Sequence, residues 1–106
     1  MMSLNVLLVC GSGASSGFMA ANMRKAAKKR GLDYKIQARS EAELENYADG
    51  INVLMIGPHL AYLEDEAKEI VDTNKVKVIL MKSEYYSILN GDMALDHLQE
   101  NVIDND

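Results

Sequence analysis

The only cysteine of the chain, Cys10, stands where an apolar run ends and a run of small residues begins, in "LLVCGSGASSGF". The residues that follow it, Gly11, Ser12, Gly13, Ala14, Ser15, Ser16 and Gly17, carry no charge. Such a stretch can curl until successive backbone N–H groups point inward, and a helix starting behind it adds the partial positive charge of its N-terminus. Together these form a cradle for an anion. A thiol at its centre is held as thiolate more readily than a free cysteine and is a competent nucleophile near neutral pH. The same cradle would hold a phosphoryl group attached to that sulfur. The competing reading is an inert cysteine that fills a strand end above a tight turn. It gives no reason for seven small residues to follow.

Related anion-binding loops differ at identifiable positions. A nucleotide P-loop needs a lysine to reach the terminal phosphates, and none occurs between Cys10 and Lys25. The dinucleotide pattern G-x-G-x-x-G fails at its third glycine, where Ser16 stands one residue before Gly17. Cysteine phosphatases use Cys-x5-Arg-[ST] in a strand–loop–helix setting. Here the sixth residue after Cys10 is Ser16, so the guanidinium that would clamp phosphoryl oxygens is absent, and no Asp-Pro pair follows as general acid. The parts to accept a phosphoryl group are present and the parts to hydrolyse it fast are missing, which describes a carrier. Two other classes stay open: a slow phosphatase-like enzyme, which would want the arginine, and a flavodoxin-like binding module, which would leave Cys10 idle. No CxxC or Cys/His cluster is present, so no metal and no cofactor are expected.

The elements that must position this loop follow from hydropathy. Leu4 to Val9, Tyr34 to Arg39, Asn52 to Ile56 and Val76 to Met81 suit strands, three of them nearly continuous apolar runs as in strands covered on both faces. The second, "YKIQAR", alternates and reads as an edge. Between them, Ser16 to Arg30 repeats Met19, Met23, Ala26 and Ala27 at helical spacing and stops at Gly31. "LAYLEDEAKEIV" places Leu60, Leu63, Ala67, Ile70 and Val71 on one helical face. A short helix capped by Ser40, with Glu43 three residues on, and a final helix in "GDMALDHLQENVI" complete the pattern. Strands alternating with helices imply an α/β fold: one domain over residues 1–106, a four-stranded parallel sheet of order 2-1-3-4, and helices on both faces. In that order the chain reverses direction between strands one and three, and ligands bind at the carboxyl ends beside the reversal, where Cys10 stands.

The same edge should gather Gly57, Pro58 and His59 after strand three, and Ser83, Glu84, Tyr85 and Tyr86 after strand four, the latter a candidate docking surface. Tyr62 reads as packing at its helix start, and His97 as a surface residue. Met19, Met23, Met55 and Met81 read as core, and the terminal "DND" as a frayed tail.

At 106 residues with 48% hydrophobic and 25% charged residues, the chain is expected to be an ordered globular protein. A net charge of -5 argues against nucleic-acid binding by phosphate neutralisation. Arg24, Lys25, Lys28, Lys29 and Arg30 are the local exception, either cations near a helix C-terminus or a patch for an acidic partner protein. The longest apolar runs are about half a bilayer crossing, and no basic segment leads into a cleavable hydrophobic stretch, so a cytoplasmic protein without direct membrane insertion is expected.

The segments "LLVCGSGASSGFMAANMRKAA", "VLMIGPHLAYL" and "ILNGDMALDHL" together resemble the enzyme IIB component of the lactose/cellobiose family of the bacterial phosphotransferase system. The resemblance spans essentially the whole chain and implies a four-stranded parallel sheet like that of the cysteine phosphatases. It implies a phosphocysteine at Cys10, with Gly11 to Gly17 binding the phosphate. The phosphoryl donor would be a phosphohistidine of enzyme IIA. The acceptor would be a β-linked di- or oligosaccharide held by the membrane component, enzyme IIC, to which the chain would be peripheral. Members of that family often carry glutamine after Gly-Pro, where this chain has His59. That residue is a candidate contact to the phosphoryl group or a helix-starting surface histidine.

Overall fold

The computed structural model describes residues 3–9 and 14–102, with residues 14–16 described as backbone only. In chain order the elements are β1 (Ser3–Val9), α1 (Ala14–Lys29), β2 (Asp33–Arg39), α2 (Leu44–Tyr47), β3 (Val53–Ile56), α3 (Glu64–Ile70), β4 (Lys77–Leu80), α4 (Ser83–Tyr86) and α5 (Gly91–Val102). Two 3-10 segments, Glu41–Glu43 and Pro58–Leu63, lead into α2 and α3. The strands form one parallel sheet of order β2-β1-β3-β4, as the sequence implies. Val9 pairs with Arg39 on one side and Ile56 on the other, and Ile56 pairs with Leu80, so the carboxyl ends are level.

Alternate residues of a strand face opposite sides, and β1 divides its side chains accordingly. Leu4, Val6 and Leu8 join α1, α4 and α5 in one core layer. Leu7 and Val9 join the layer of Leu44, Leu54, Leu60, Leu63 and Ala67 on the other face. Strand β2 is an edge, with Tyr34, Ile36 and Ala38 turned to the α1 side.

Helix α1 buries Met19, Ala20, Met23, Ala26 and Ala27, the stripe its spacing predicts. Its end is a Schellman turn. Gly31 has φ +70°, its amide donates to the Lys28 carbonyl, and the Leu32 amide donates to the Ala27 carbonyl at 2.9 Å. Met55 and Met81 are also buried, as expected of core methionines.

The segment expected as a helix over 60–71 is different. Pro58 opens a 3-10 run, Leu60 departs from helical geometry at φ -110° and ψ 31°, and α-helix begins only at Glu64. Proline pre-sets the first turn, but burying Leu60 and Leu63 under β1 and β3 pulls the chain off the α path. Likewise, Ser40 precedes a 3-10 turn instead of an α-helix. The Glu43 carboxylate still accepts from the Ser40 amide at 3.3 Å. Ile103 and the "DND" tail lie outside the described residues.

The final helix is fixed by features outside its own hydropathy. Asn90 Oδ1 accepts the Met93 amide at 3.0 Å as an N-cap. Asn22 Nδ2 donates to the Leu89 carbonyl at 2.8 Å, and Leu89 takes φ 53° in the turn before the helix. A Cβ on Gly91 would meet the Asn22 carbonyl carbon at 2.4 Å and the Met23 nitrogen at 2.7 Å. Only glycine lets α5 rest its first turn on the α1 backbone.

Candidate functional site

All four strands end at one edge, and the segments after β2, β3 and β4 touch one another there. Cys10 follows Val9 at this edge; with Gly11, Ser12 and Gly13 it lies outside the described residues. The surroundings of the β1 end are described. The Gly57 amide donates to the Val9 carbonyl at 2.9 Å, and that carbonyl carbon carries the amide nitrogen of Cys10. The segment after β3 therefore departs directly beside the point where β1 hands over to Cys10.

On the far side of the loop, α1 begins at Ala14, two residues before the expected start at Ser16. Ala14, Ser15, Ser16 and Gly17 thus form a first helical turn and not a loop. The first four N–H groups of a helix have no partner within it and carry the positive end of its dipole. In this half the backbone is a helical turn where a Gly/Ser loop was expected. Gly17 is exposed with nothing within 4 Å of a would-be Cβ, so packing does not demand glycine there.

Gly57 is buried, Pro58 opens the 3-10 segment, and His59 is exposed with its ring centroid 5.6 Å from that of Tyr86, tilted by 46°. Tyr86 itself is buried in the α1 layer. Tyr62 was expected to pack at its helix start. Instead it is 69% exposed and its hydroxyl donates to the Glu41 carboxylate at 3.4 Å. This contact joins the connections after β3 and β2 across the end of β1, which lies between those strands.

After β4, the expected docking surface of Ser83, Glu84, Tyr85 and Tyr86 keeps only its first two residues exposed. Tyr85 is 2% exposed, and its hydroxyl lies 2.6 Å from His97 Nδ1. Burial pushes this phenol up to about 12. Burial, followed by the charge of Lys82, holds His97 below the ordinary histidine value. Both shifts favour a phenol that donates to a neutral imidazole. Tyr85 therefore supports the edge from beneath, and His97 is a half-buried partner and not a surface residue. The pair joins α4 to α5, so no local pattern of the sequence carried it.

The basic cluster occupies the C-terminal half of α1 and the residue after it, away from the first turn. Arg24 Nη1 donates to the Ile36 carbonyl at 2.7 Å, and Arg30 pairs with Asp96 at 2.8 Å and Asp92 at 3.4 Å. Lys25, Lys28 and Lys29 are exposed.

A cysteine-bearing β1–α1 connection at the carboxyl edge of a 2-1-3-4 sheet is also what comparison with known proteins returns. The profile of the family described as "PTS system, Lactose/Cellobiose specific IIB subunit" matches residues 5–97. The chain belongs to this family. As such it is a phosphoryl-transferring component of a sugar phosphotransferase system. The galactose-specific EIIB component of Lactococcus lactis subsp. cremoris is 30% identical over 95 residues, covering 85% of this chain and 88% of the relative. The lactose-specific EIICB component of Lacticaseibacillus casei is 31% identical over 101 residues, covering 93% of this chain and 18% of that longer protein.

Among solved structures, the lactose-specific IIB domain of Streptococcus pneumoniae superposes with TM-score 0.84 at 14% identity, over 95% of this chain and 99% of that one. A low molecular weight phosphotyrosine phosphatase from Vibrio cholerae superposes at 0.58 with 13% identity, over 94% and 99%. At such identities these structures establish the fold, which a IIB domain and a phosphatase share. Among the described residues, no helix is long and apolar enough to cross a membrane.

Proposed function

We propose that residues 1–106 act as a single phosphoryl-carrier domain in which Cys10 accepts a phosphoryl group from a phosphohistidine of enzyme IIA. It then passes the group to a β-linked di- or oligosaccharide bound by the membrane component, enzyme IIC, at the cytoplasmic face of the membrane. The carrying observation is the position of Cys10 in a IIB-family chain. It directly follows the β1 end that Gly57 brackets, and it precedes by four residues a helix whose first N–H groups have no partner within the helix. In the transfer, the thiolate sulfur bonds to phosphorus as the nitrogen–phosphorus bond of the donor breaks, and the electron pair stays on the leaving imidazole. The second transfer repeats this with a sugar hydroxyl as nucleophile, whose proton passes to water as its oxygen bonds to phosphorus and the sulfur leaves as thiolate.

The partner assignment is supported by relatives that unite IIB with IIC in one EIICB chain. The sugar class is supported by relatives named for galactose, lactose, cellobiose and oligo-beta-mannoside. In this reading Gly11 to Gly17 bind the phosphoryl group and Gly57, Pro58, His59 and Ser83 form the edge, with Tyr85 behind it.

The test is incubation with phosphoenolpyruvate, the general phosphotransferase proteins and enzyme IIA. The parent chain should gain one phosphate, stable enough to isolate. Cys10→Ser should fold and take none, because a serine hydroxyl stays protonated near pH 7. Equal labelling of that variant would remove Cys10 from the mechanism.

A further inference from the structure

We infer that Arg24 and Arg39 guard the open side of β2: each guanidinium occupies a backbone carbonyl that would otherwise accept a hydrogen bond from a strand of a second copy of this chain. Strand β2 is the longer of the two outer strands, with seven residues against four in β4. An outer strand carries a row of N–H and C=O groups that have no partner in the sheet. When long, it is a template for pairing between chains, and charged side chains on it are one means of preventing this.

Which groups of β2 face outward follows from the ladder. In a parallel pair a residue turns its N–H and its C=O to the same side, successive residues alternate, and each bonding residue holds the two that flank its opposite number. The Asn5 carbonyl accepts the Asn52 amide and the Val9 carbonyl accepts the Gly57 amide, both on the β3 side of β1. Leu4, Val6 and Leu8 therefore bond to β2. Because Val6 stands opposite Ile36 and Leu8 opposite Ala38, the residues they hold are Lys35, Gln37 and Arg39. The backbone groups of Tyr34, Ile36 and Ala38 are left facing outward.

The Ile36 and Ala38 carbonyls are the ones the arginines take. Arg24 Nη1 reaches from α1 and donates to the Ile36 carbonyl at 2.7 Å. Arg39 Nη1 donates to the Ala38 carbonyl at 2.8 Å, with its guanidinium 4.7 Å from the centre of the Tyr47 ring, which packs in the layer on the opposite face. The next amide in the same alternation, that of Ser40, donates to the Glu43 carboxylate at 3.3 Å. An added strand must alternate donors with acceptors along this row, so both guanidinium groups would have to leave before a ladder forms. Each of their bonds has a charged donor and is stronger than the amide bond that would replace it.

The test removes both side chains beyond Cβ. The chain carries a net charge of -5, so losing two cations raises the repulsion between copies, and a gain in association cannot come from charge. In sedimentation equilibrium the Arg24→Ala, Arg39→Ala double variant should self-associate at least about tenfold more tightly than the parent, because two acceptors in each copy become available. Amide exchange should slow at Tyr34, Ile36 and Ala38 and stay as in the parent at Lys35 and Gln37. Adding Ala38→Pro removes an outward N–H and leaves the ladder to β1 intact, so this triple variant should return to the association of the parent. Each single arginine variant, read also where the double variant unfolds, should show a smaller rise in the same direction. Association no tighter than the parent's, new protection outside β2, or a gain that Ala38→Pro leaves in place overturns the inference.

Discussion

The two faces of the sheet are covered in different ways. On one face α1 and α5, of 16 and 12 residues, lie over Val6, Leu8, Val53 and Met55, and Gly91 brings their backbones into contact. On the other, α2 and α3 have 4 and 7 residues and are entered through 3-10 segments, one of them broken at Leu60. Both layers exclude water, so hydrophobic burial alone does not distinguish them. The difference lies in what can relax. Two long helices locked at backbone distance cannot close over a missing side chain, whereas a 3-10 run with one non-helical residue can shift along its length. The rigid face starts at the first turn of α1 and ends in the α4–α5 connection, and it includes Tyr86. The adaptable face contributes Tyr62 and Glu41 to the edge.

The largest expected effect tests that contrast directly. Leu98 on α5 and Leu63 in the 3-10 segment are both buried. Leu98→Ala should cost toward the upper end of ~2–5 kcal/mol and Leu63→Ala toward the lower end, because the cavity term depends on how far each site collapses. Denaturant midpoints of the two variants measure this. Equal losses would break the distinction between the faces.

Next comes Gly91→Ala. The new methyl group would overlap α1 backbone and not the tip of a flexible side chain, so α5 must lift away, at a cost of ~1–3 kcal/mol. An alanine at Gly17, which has open space around it, should leave the melting temperature unchanged or slightly raised. The pair of thermal melts reads the lock between the long helices.

The smallest effect concerns pH. His97 is held below its ordinary value by burial and by Lys82, while Glu100 acts the other way. Its neutral form is favoured in the folded chain, so its contribution is complete above the unfolded value of about 6.5. As pH falls below 6.5 and then through the lower folded value, that contribution is lost. Between pH 7.5 and 5, the melting temperature of His97→Gln should therefore fall less than that of the parent. A parallel decline in both would remove the Tyr85–His97 pair from the acid response of the α1/α5 face.

Much of this organisation was written in local patterns. The apolar runs of β1 and β3, the spacing of Met19, Met23 and Ala26, and the stop at Gly31 each depend on residues within a few positions of one another, and all appear as the sequence implies. The order β2-β1-β3-β4 followed because parallel neighbours need crossovers of one hand and the alternating strand belongs at an edge. The position of Cys10 after β1 was legible for the same reason: it is a matter of chain order.

The inward turn of Tyr85 onto His97, the tilted ring contact of His59 with Tyr86, the exposure of Tyr62 and the demand for glycine at position 91 were not legible. Each joins residues from different elements, at distances fixed only after the helices have docked. A sequence determines directly what hydropathy period and backbone stereochemistry can encode within one or two turns. Which side chains of a short connection face solvent is decided by the competition among all groups packed at that edge, and only the tertiary structure resolves that competition.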